Sequence, residues 1–157
     1  MIIRRWLSRG RMFATGLDKQ DRNLLIRAWW LLHLVRIGFR LTGFQRIRHL
    51  LVRKTPDVPN RDETSNLETA RRAAVLVAVA SKYSLGHPNC LARSLTSAIL
   101  LSRMSISSDL RLGVKKTPNS PVFHAWVEVQ GQVVNDDPEV ASEYIAFAGD
   151  PDGRVFD

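Results

Sequence analysis

The sequence predicts an α+β fold in which helices pack on a small antiparallel sheet, with a helical extension at the N-terminus. The main evidence is a change in periodicity. Apolar residues recur at helical spacing up to about residue 104, and from residue 110 onward they alternate with polar residues as in strands. The length of 157 residues and the hydrophobic content of 45% suit a single domain with a substantial core.

The N-terminal third carries the positive charge of the chain. Residues 1–54 contain thirteen Lys or Arg against two acids, whereas residues 55–157 contain ten against thirteen. We predict that residues 1–54 form a basic helical extension packed on the core, with Asp21 as the candidate helix cap. Arginines interrupt the apolar runs, so we expect neither a membrane-spanning helix nor a secretory signal, and we expect a cytoplasmic location.

A second interpretation of the extension stays open, in which residues 1–53 make a peripheral contact with a membrane surface. We favour packing on the core, because a small domain needs large apolar residues to cover its core, and this stretch supplies Trp29, Trp30, Leu31 and Leu34. A nucleic-acid interface is not expected, since no motif that reads DNA or RNA is present and the rest of the chain is acidic.

Two helices are predicted after the extension. The prolines and acids of residues 55–65 indicate a linker, so residues 66–157 form the predicted core domain. A capping box of Ser65 and Glu68 then predicts a helix that runs to about Tyr83 and is buried around its apolar centre.

The second of these helices carries the only cysteine of the chain, Cys90, in its first turn. Asn89 predicts the start of this helix, which ends near Met104. A thiol at that position faces unpaired N–H groups and the positive end of the helix dipole, and both favour the nucleophilic thiolate. A lone cysteine is more often a small buried apolar residue, so Cys90 alone does not define a site.

The second half of the chain is predicted to contain the sheet. Residues 110–114 and 122–129 have the alternation of strands, with a loop at 115–121 between them. A hairpin turn at Gln130 and Gly131 leads into a return strand at 132–136. The last twenty residues are predicted to be mostly loop and to cover an edge of the sheet.

Alternation along the 122–129 strand places His124, Trp126 and Glu128 on one face and the core residues on the other. We expect the helix of Cys90 to cover the His124 face and bring the thiol to the imidazole. Trp126 shares that face and is a candidate wall of the substrate cleft, although packing over the sheet explains it equally well.

The length of the hairpin loop decides which carboxylate meets His124. A three-residue loop places Asp136 opposite His124, whereas a two-residue loop places Asp137 there. The position of Gly131 favours the longer loop, so Asp136 is the first candidate and Asp137 the runner-up. Glu128 lies about 13 Å from His124 along the strand, which is too far to contact the ring.

Together these residues predict a catalytic triad. A cysteine nucleophile needs a base, and the base needs an orienting group. The order Cys90, His124 and Asp136 on helix, strand and strand is that of papain-like and transglutaminase-like folds. The four histidines and Cys90 lack metal-ligand spacing, so neither a metal site nor a cofactor is predicted.

Four motifs are more specific than this general arrangement of a triad. They are Cys-Leu-x-Arg-Ser at a helix start (NCLARSLTSAILLSRMSI), a Leu-Gly-Val strand (LRLGV), His-Ala-Trp-Val-Glu, and an aspartate twelve residues after the histidine (FHAWVEVQGQVVND). This combination, over roughly residues 67–148, resembles the leader peptidases of lasso peptide biosynthesis, the stand-alone B2-type proteins with a transglutaminase-like fold. On the matching positions, the triad of that family falls on Cys90, His124 and Asp136.

The resemblance implies a cysteine peptidase that cuts a ribosomally made precursor peptide between its leader and core segments through an acyl-enzyme. A partner cyclase resembling asparagine synthetase would then use ATP to close the freed core amine onto an Asp or Glu side chain. Residues 1–60 do not resemble the winged-helix leader-binding domain used in this family, so we expect that domain as a separate partner chain.

Two other functions stay open at this point. The same triad performs acyl transfer to amines in transglutaminases and arylamine N-acetyltransferases. A scaffold that binds a peptide or a partner without cutting would keep the same fold.

Overall fold

The structure is a computed structural model that describes residues 18–41, 63–118 and 120–147. Predictions for residues 1–17, for most of the linker and for residues 149–153 (GDPDG) fall outside these described residues. The described elements are α1 (Lys19–Leu41), α2 (Glu63–Lys82), α3 (Cys90–Arg103), β1 (Asp109–Lys115), β2 (Val122–Val129), β3 (Gln132–Val133), α4 (Val140–Glu143) and β4 (Ile145–Ala146).

The strands form one antiparallel sheet in the order β3-β2-β1-β4, and helices α2 and α3 cover one face of it. β1 and β2 pair along their length, from Asp109 opposite Glu128 to Lys115 opposite Val122. β4 adds to the free edge of β1, as predicted for the end of the chain. The prediction of an α+β fold with helices on a small antiparallel sheet is therefore confirmed.

Helix α1 packs on α2 and α3 through one face. Ala28 and Leu32 of α1 are fully buried and share a core with Leu95 and Ile99 of α3. Packing on the core is thus observed for Lys19–Leu41, and the division of the chain into an extension, a linker and a core domain stays a prediction. Within those residues, the helices lack the combination of length and hydrophobicity needed to cross a bilayer.

The opposite face of α1 is an exposed apolar stripe. Trp30 and Leu34 belong to it, at 65% and 53% exposure, so the expectation that they cover the core is wrong. A helix with 3.6 residues per turn directs Leu31, Leu32 and Val35 inward and turns these two residues outward. The stripe consists of Ile26, Trp30, Leu34, Ile37 and Leu41, spaced three or four residues apart.

A charged pair joins α1 to α2. Asp21 is 3% exposed and accepts a hydrogen bond from Arg72 Nε at 2.7 Å. This hydrogen bond and the charge of Asp21 raise the pKa of Arg72, so the guanidinium stays charged. The helix cap is Asp18, whose Oδ1 accepts the Asp21 N–H at 2.7 Å, and the prediction of Asp21 as cap is wrong.

Helix α2 begins earlier than predicted. Its first residue is Glu63, inside the predicted linker, so Ser65 and Glu68 both lie within the helix and the predicted capping box is wrong. A carboxylate in the first turn stabilises this longer helix through the dipole. The buried side of α2 includes Ala73 and Val77, which face α3 and α1 respectively through the two parts of the core.

Candidate active site

Cys90 opens helix α3, as predicted. Asn89 is the N-cap, and its Oδ1 accepts the Ala92 N–H at 2.9 Å. The N–H of Cys90 itself belongs to the first turn, where a helix has no internal acceptor to offer. The cysteine is partly buried and has no disulfide partner. The helix start therefore presents a thiol and a backbone donor side by side.

A polar cluster attaches α3 to the strand that carries His124. Ser94 lies one turn after Cys90, and its hydroxyl donates to the Ala125 carbonyl at 2.8 Å. Asn135 Nδ2 donates to the same hydroxyl oxygen at 2.8 Å, while Asn135 Oδ1 accepts the Val127 N–H at 2.7 Å. One amide side chain thus joins the nucleophile helix, β2 and the segment after β3.

The hairpin between β2 and β3 has a two-residue loop, so the predicted three-residue loop is wrong. Val129 pairs with Gln132, and Glu128 pairs with Val133. Gln130 and Gly131 both have positive φ, at 52° and 72°, as a type I′ turn requires. The glycine suits either loop, and the sequence does not reveal that Gln130 also adopts the left-handed conformation.

A regular continuation of this register would place Asp137 opposite His124, yet Asp136 meets the ring. The ladder stops because the Asn135 side chain, instead of the Val134 carbonyl, accepts the Val127 N–H. The chain turns away from β2 at this point and delivers Asp136 to the imidazole. Asp137 has another role, since its Oδ1 accepts the Glu139 N–H at 3.1 Å beside the start of α4.

His124 and Asp136 form a close hydrogen-bonded pair. Nε2–H of His124 donates to Asp136 Oδ2 at 2.7 Å, and the two side chains are 20% and 15% exposed. The second carboxylate oxygen of Asp136 accepts the Asp137 N–H at 2.8 Å. Each oxygen of the Asp136 carboxylate thus accepts one hydrogen bond. Because Nε2 of His124 is used in this pair, Nδ1 is the ring atom available for proton transfer.

Helix α3, which starts at Cys90, packs on the other face of β2. Ala98 and Leu101 of α3 share a core with Val127 and Val129, so α3 covers the face opposite His124, and the expected arrangement is wrong. The cause is that α3 packs on the small apolar residues of the strand, which alternate with the His124 set.

The edge of β2 nevertheless leaves a route between the two faces. β3 pairs with only the last two residues of β2, so among the described residues no strand covers that edge beside His124. Ser94 contacts Ala125, and Cys90 lies one turn of α3 before Ser94, a rise of about 6 Å that corresponds to about two strand residues. Cys90 therefore starts its helix near the N-terminal half of β2, which also carries His124. No hydrogen bond joins Cys90 to His124 or Asp136 within the described part of the chain.

Phe123 is 64% exposed, although the alternation assigns it to the core face. Phe123 is not part of the buried clusters that α3 forms with the described residues. The Phe123 ring instead stacks on Phe147, with ring centroids 6.3 Å apart. An exposed aromatic residue therefore lies next to His124 in the chain.

The Trp126 ring packs beside the His124 ring. It is 1% exposed, its Nε1 donates to Glu128 Oε1 at 2.8 Å, and Glu128 also pairs with Arg111 at 3.0 Å. A ring so deeply buried has no surface to offer a substrate, so this geometry favours the packing role of Trp126 over the predicted cleft wall.

The Tyr144 ring also packs against the His124 ring, and the centroids of these two rings are 5.1 Å apart. Trp126 and Tyr144 approach closely because Gly113 lies between them. A Cβ at Gly113 would stand 2.8 Å from two atoms of the Trp126 ring and 3.0 Å from Tyr144 Cβ. Gly113 pairs with His124 across β1 and β2, and its lack of a side chain makes room for this close packing. From the sequence alone, a glycine at this position indicates only a weaker strand.

Asn135→Ala is expected to lower the free energy of unfolding by about 2–3 kcal/mol, because the substitution leaves the buried Val127 N–H without an acceptor and removes the donor to the Ser94 hydroxyl oxygen. Urea denaturation measures the change. The matched control is Gln132→Ala on the neighbouring exposed segment, where Gln132 accepts only from Arg71, and a change within about 0.5 kcal/mol is expected. Equal losses in the two variants would contradict the role of Asn135.

Gly113→Ala is expected to cost about 1–3 kcal/mol, since the new methyl group forces the Trp126 ring to move. The same substitution in a Trp126→Phe background tests the cause, because the smaller ring lacks the atoms that clash. Thermal unfolding of the four proteins in this double-mutant cycle should show a smaller cost of Gly113→Ala beside Phe. Strict additivity would contradict the explanation.

Three contributors to the site were not found in the sequence: Ser94, Asn135 and Tyr144. Ser94 is part of the Cys-Leu-x-Arg-Ser motif, so the motif was a signal, although its physical role was not evident. Arg93 in the same motif is partly buried, and its Nε has no hydrogen-bond partner among the described residues. No group of three metal-ligating side chains occurs there either.

Comparison with known proteins agrees with the fold. Comparisons with curated proteins and with solved structures gave no significant match. A family model described as the transglutaminase-like superfamily matches residues 31–147, well over half of the chain. The match begins inside α1 and extends past Asp136, so it includes the helix start at Cys90 and the His124 strand. The chain therefore belongs to the transglutaminase-like superfamily.

Proposed function

We propose that this protein is a cysteine peptidase that removes the leader segment from a ribosomally synthesised lasso peptide precursor. The observation that carries the catalytic part is the 2.7 Å hydrogen bond between His124 Nε2 and Asp136 Oδ2. Cys90 is assigned as the nucleophile because it starts the helix whose Ser94 contacts the His124 strand. The superfamily is compatible with cysteine peptidases and with acyl transfer. The choice of substrate is supported by the resemblance of the four motifs to lasso leader peptidases.

In the first half of the reaction, the Cys90 thiolate attacks the carbonyl carbon at the leader–core junction. The backbone N–H of Cys90 donates to the resulting oxyanion, since no helical acceptor occupies it. His124, protonated at Nδ1, gives that proton to the departing core amine as the C–N bond breaks. The leader remains attached to Cys90 as a thioester.

In the second half, water attacks the thioester carbonyl and gives a proton to His124 Nδ1. The C–S bond breaks, and the leader leaves with a free carboxylate while the Cys90 thiolate and the His124 imidazolium are restored. Asp136 accepts from Nε2 throughout, which keeps Nδ1 directed to the reacting atoms and stabilises the charged ring. No cofactor or metal takes part in the proposed cycle.

Two partner chains belong to the proposal. A separate winged-helix protein would bind the leader, and an asparagine-synthetase-like cyclase would consume the freed core amine together with ATP. Both are implied by the motif resemblance.

The proposal is tested by incubating a candidate precursor from the same gene neighbourhood with this protein and the leader-binding partner, followed by mass spectrometry. We expect one cut, at the leader–core junction, in the native sample and none with Cys90→Ala protein. Equal cutting by both proteins would contradict the assigned nucleophile. Absence of cutting by either, with the cyclase and ATP also present, would support the scaffold alternative instead.

Acyl transfer is the nearest rival because it uses the same thioester. Adding a primary amine in excess separates the two activities. A hydrolase releases the leader as the acid at all amine concentrations, whereas a transferase yields a leader amide whose share grows with the amine.

Peripheral membrane contact through residues 1–53 remains the alternative role of the extension. The stripe of α1 supports it, since exposed Trp30 and Leu34 are flanked by Arg27 and Arg40. Pelleting with anionic vesicles at low salt would favour this role, and its absence would remove it.

A further inference from the structure

Beside the start of helix α3 lies a groove of about 400 Å³, within the size range of ligand pockets. One wall is the α1 face formed by His33, Arg36 and Arg40, and the other is the loop that leads into α3, with His87 and Asn89. Asn89 is the N-cap of α3, so the groove ends one residue from Cys90. We call this feature the cationic groove.

In the part of the chain that the structure describes, the charged residues that line the cationic groove are all basic. Arg36 and Arg40 contribute two guanidinium groups, and His33 and His87 add imidazoles, while none of the lining residues in the described part of the chain is acidic. Arg40 is exposed and forms no ion pair with the described residues. Because concave surfaces lined by one sign of charge concentrate the opposite charge, the groove favours an anionic occupant.

The groove is held together by hydrogen bonds between its walls. Arg36 donates to the carbonyls of Leu85 and Gly86, the latter at 3.0 Å, and the Leu85 N–H donates to His33 Nε2 at 3.3 Å. Trp29 Nε1 reaches the Tyr83 carbonyl at 3.1 Å. The bonds go to uncharged carbonyls, so Arg36 has no counter-ion among the described residues, and the groove that they form is preformed and positive.

We propose that the cationic groove binds an acidic segment of the peptide substrate next to the bond that Cys90 attacks. The carboxylates of that segment would pair with Arg40 and Arg36, and exposed Leu85 would contact its apolar parts. The identification of the occupant as substrate rests on the proposed peptidase function. The groove itself is testable without cleavage, because Cys90 is the only cysteine and can be tagged by electrophilic peptides.

The probes are two pairs of short peptides that alkylate Cys90. One pair is chloroacetyl-Gly-Glu-Glu-amide and its Gln-Gln counterpart, and the other is acetyl-Glu-Glu-Gly chloromethyl ketone and its Gln-Gln counterpart. In each, the thiolate displaces chloride and forms a thioether. The two pairs extend from the sulfur in opposite chain directions, so together they sample both ends of a bound substrate.

The rate constant for labelling is measured by intact-protein mass spectrometry at low salt. In at least one pair, we expect the Glu peptide to react about fivefold or more faster than the Gln peptide. Arg40→Glu should reduce this ratio to about one or below, and Arg40→Gln should give an intermediate value. The preference should also fall at high salt, because ions screen exposed charges.

The matched control is Arg22→Glu, the same charge change on the same helix about 27 Å away along its axis. Its ratio should stay within about twofold of the native value. Equal rates for Glu and Gln peptides, an unchanged ratio in Arg40→Glu, or equal losses in both Glu variants would each overturn the proposal. Labelling by iodoacetamide but by none of the peptides would overturn it as well.

This test separates the two proposals. Charge-selective labelling without precursor cleavage would retain the groove and reject the peptidase. Cleavage without charge-selective labelling would retain the peptidase and reject the groove.

Discussion

Cys90→Ala protein is expected to lose at least about 10⁴-fold in the rate of precursor cleavage, because removal of the nucleophile of a triad leaves only binding and oxyanion contacts. The thiol makes no hydrogen bond with the described residues, and Asn89 keeps the helix cap through its own side chain. We therefore expect the substitution to leave the fold intact. Single-turnover mass spectrometry with excess enzyme measures the rate.

The control for this variant is its stability. Urea denaturation should give a free energy of unfolding within about 1 kcal/mol of the native protein, as for a small change at a partly buried position. Cys90→Ser is a second variant with nearly the same shape, and we expect it to be comparably slow since a hydroxyl is far less readily ionised than a thiol. Residual cleavage within tenfold of native in a well-folded variant would contradict the assignment of Cys90.

Asp136→Asn is expected to lower kcat/KM by about 10² to 10⁴-fold, with little change in KM. The amide is isosteric but cannot stabilise the charged ring, and its NH₂ group can force the wrong ring tautomer. The 2.7 Å contact to Nε2 makes this dependence direct. The neighbouring residue supplies a matched control in Asp137→Asn, which keeps an oxygen to accept the Glu139 N–H.

The two asparagine variants remove the same charge one residue apart, so a general electrostatic effect would slow both equally. We expect Asp137→Asn to stay within about threefold of the native rate. The reverse order would indicate that the regular hairpin register, with Asp137 at His124, describes the active protein. Both variants should melt near the native temperature, which circular dichroism can check.

The sequence by itself determined most of the elements. Asn89 and the apolar spacing after it placed the start of α3 at Cys90, because capping and amphipathic periodicity are local properties. Alternation from 122 to 129 matched β2 at both ends for the same reason. Errors arose where two local signals compete, as at α2, whose helix extends back through Ser65 to Glu63.

The position of Asp136 beside His124 could not be predicted from local sequence patterns. It was selected from a three-residue loop that does not form, and it meets His124 because Asn135 ends the β2–β3 ladder by bonding Val127 and Ser94. The two partners of that amide come from β2 and α3, while Asn135 itself lies in the segment after β3. A register set by contacts between distant segments is not encoded in the spacing of one hairpin.

The sequence therefore determined the residue types of the site and the elements that carry them, since helix caps and strand alternation depend on neighbours in the chain. Only the tertiary structure decided the face that α3 covers, the depth of Trp126 beneath His124, and the positive groove between α1 and the Cys90 loop. Each of these depends on which surfaces of separate elements bury the most apolar area together. That choice is made by the whole fold, because no segment contains both surfaces.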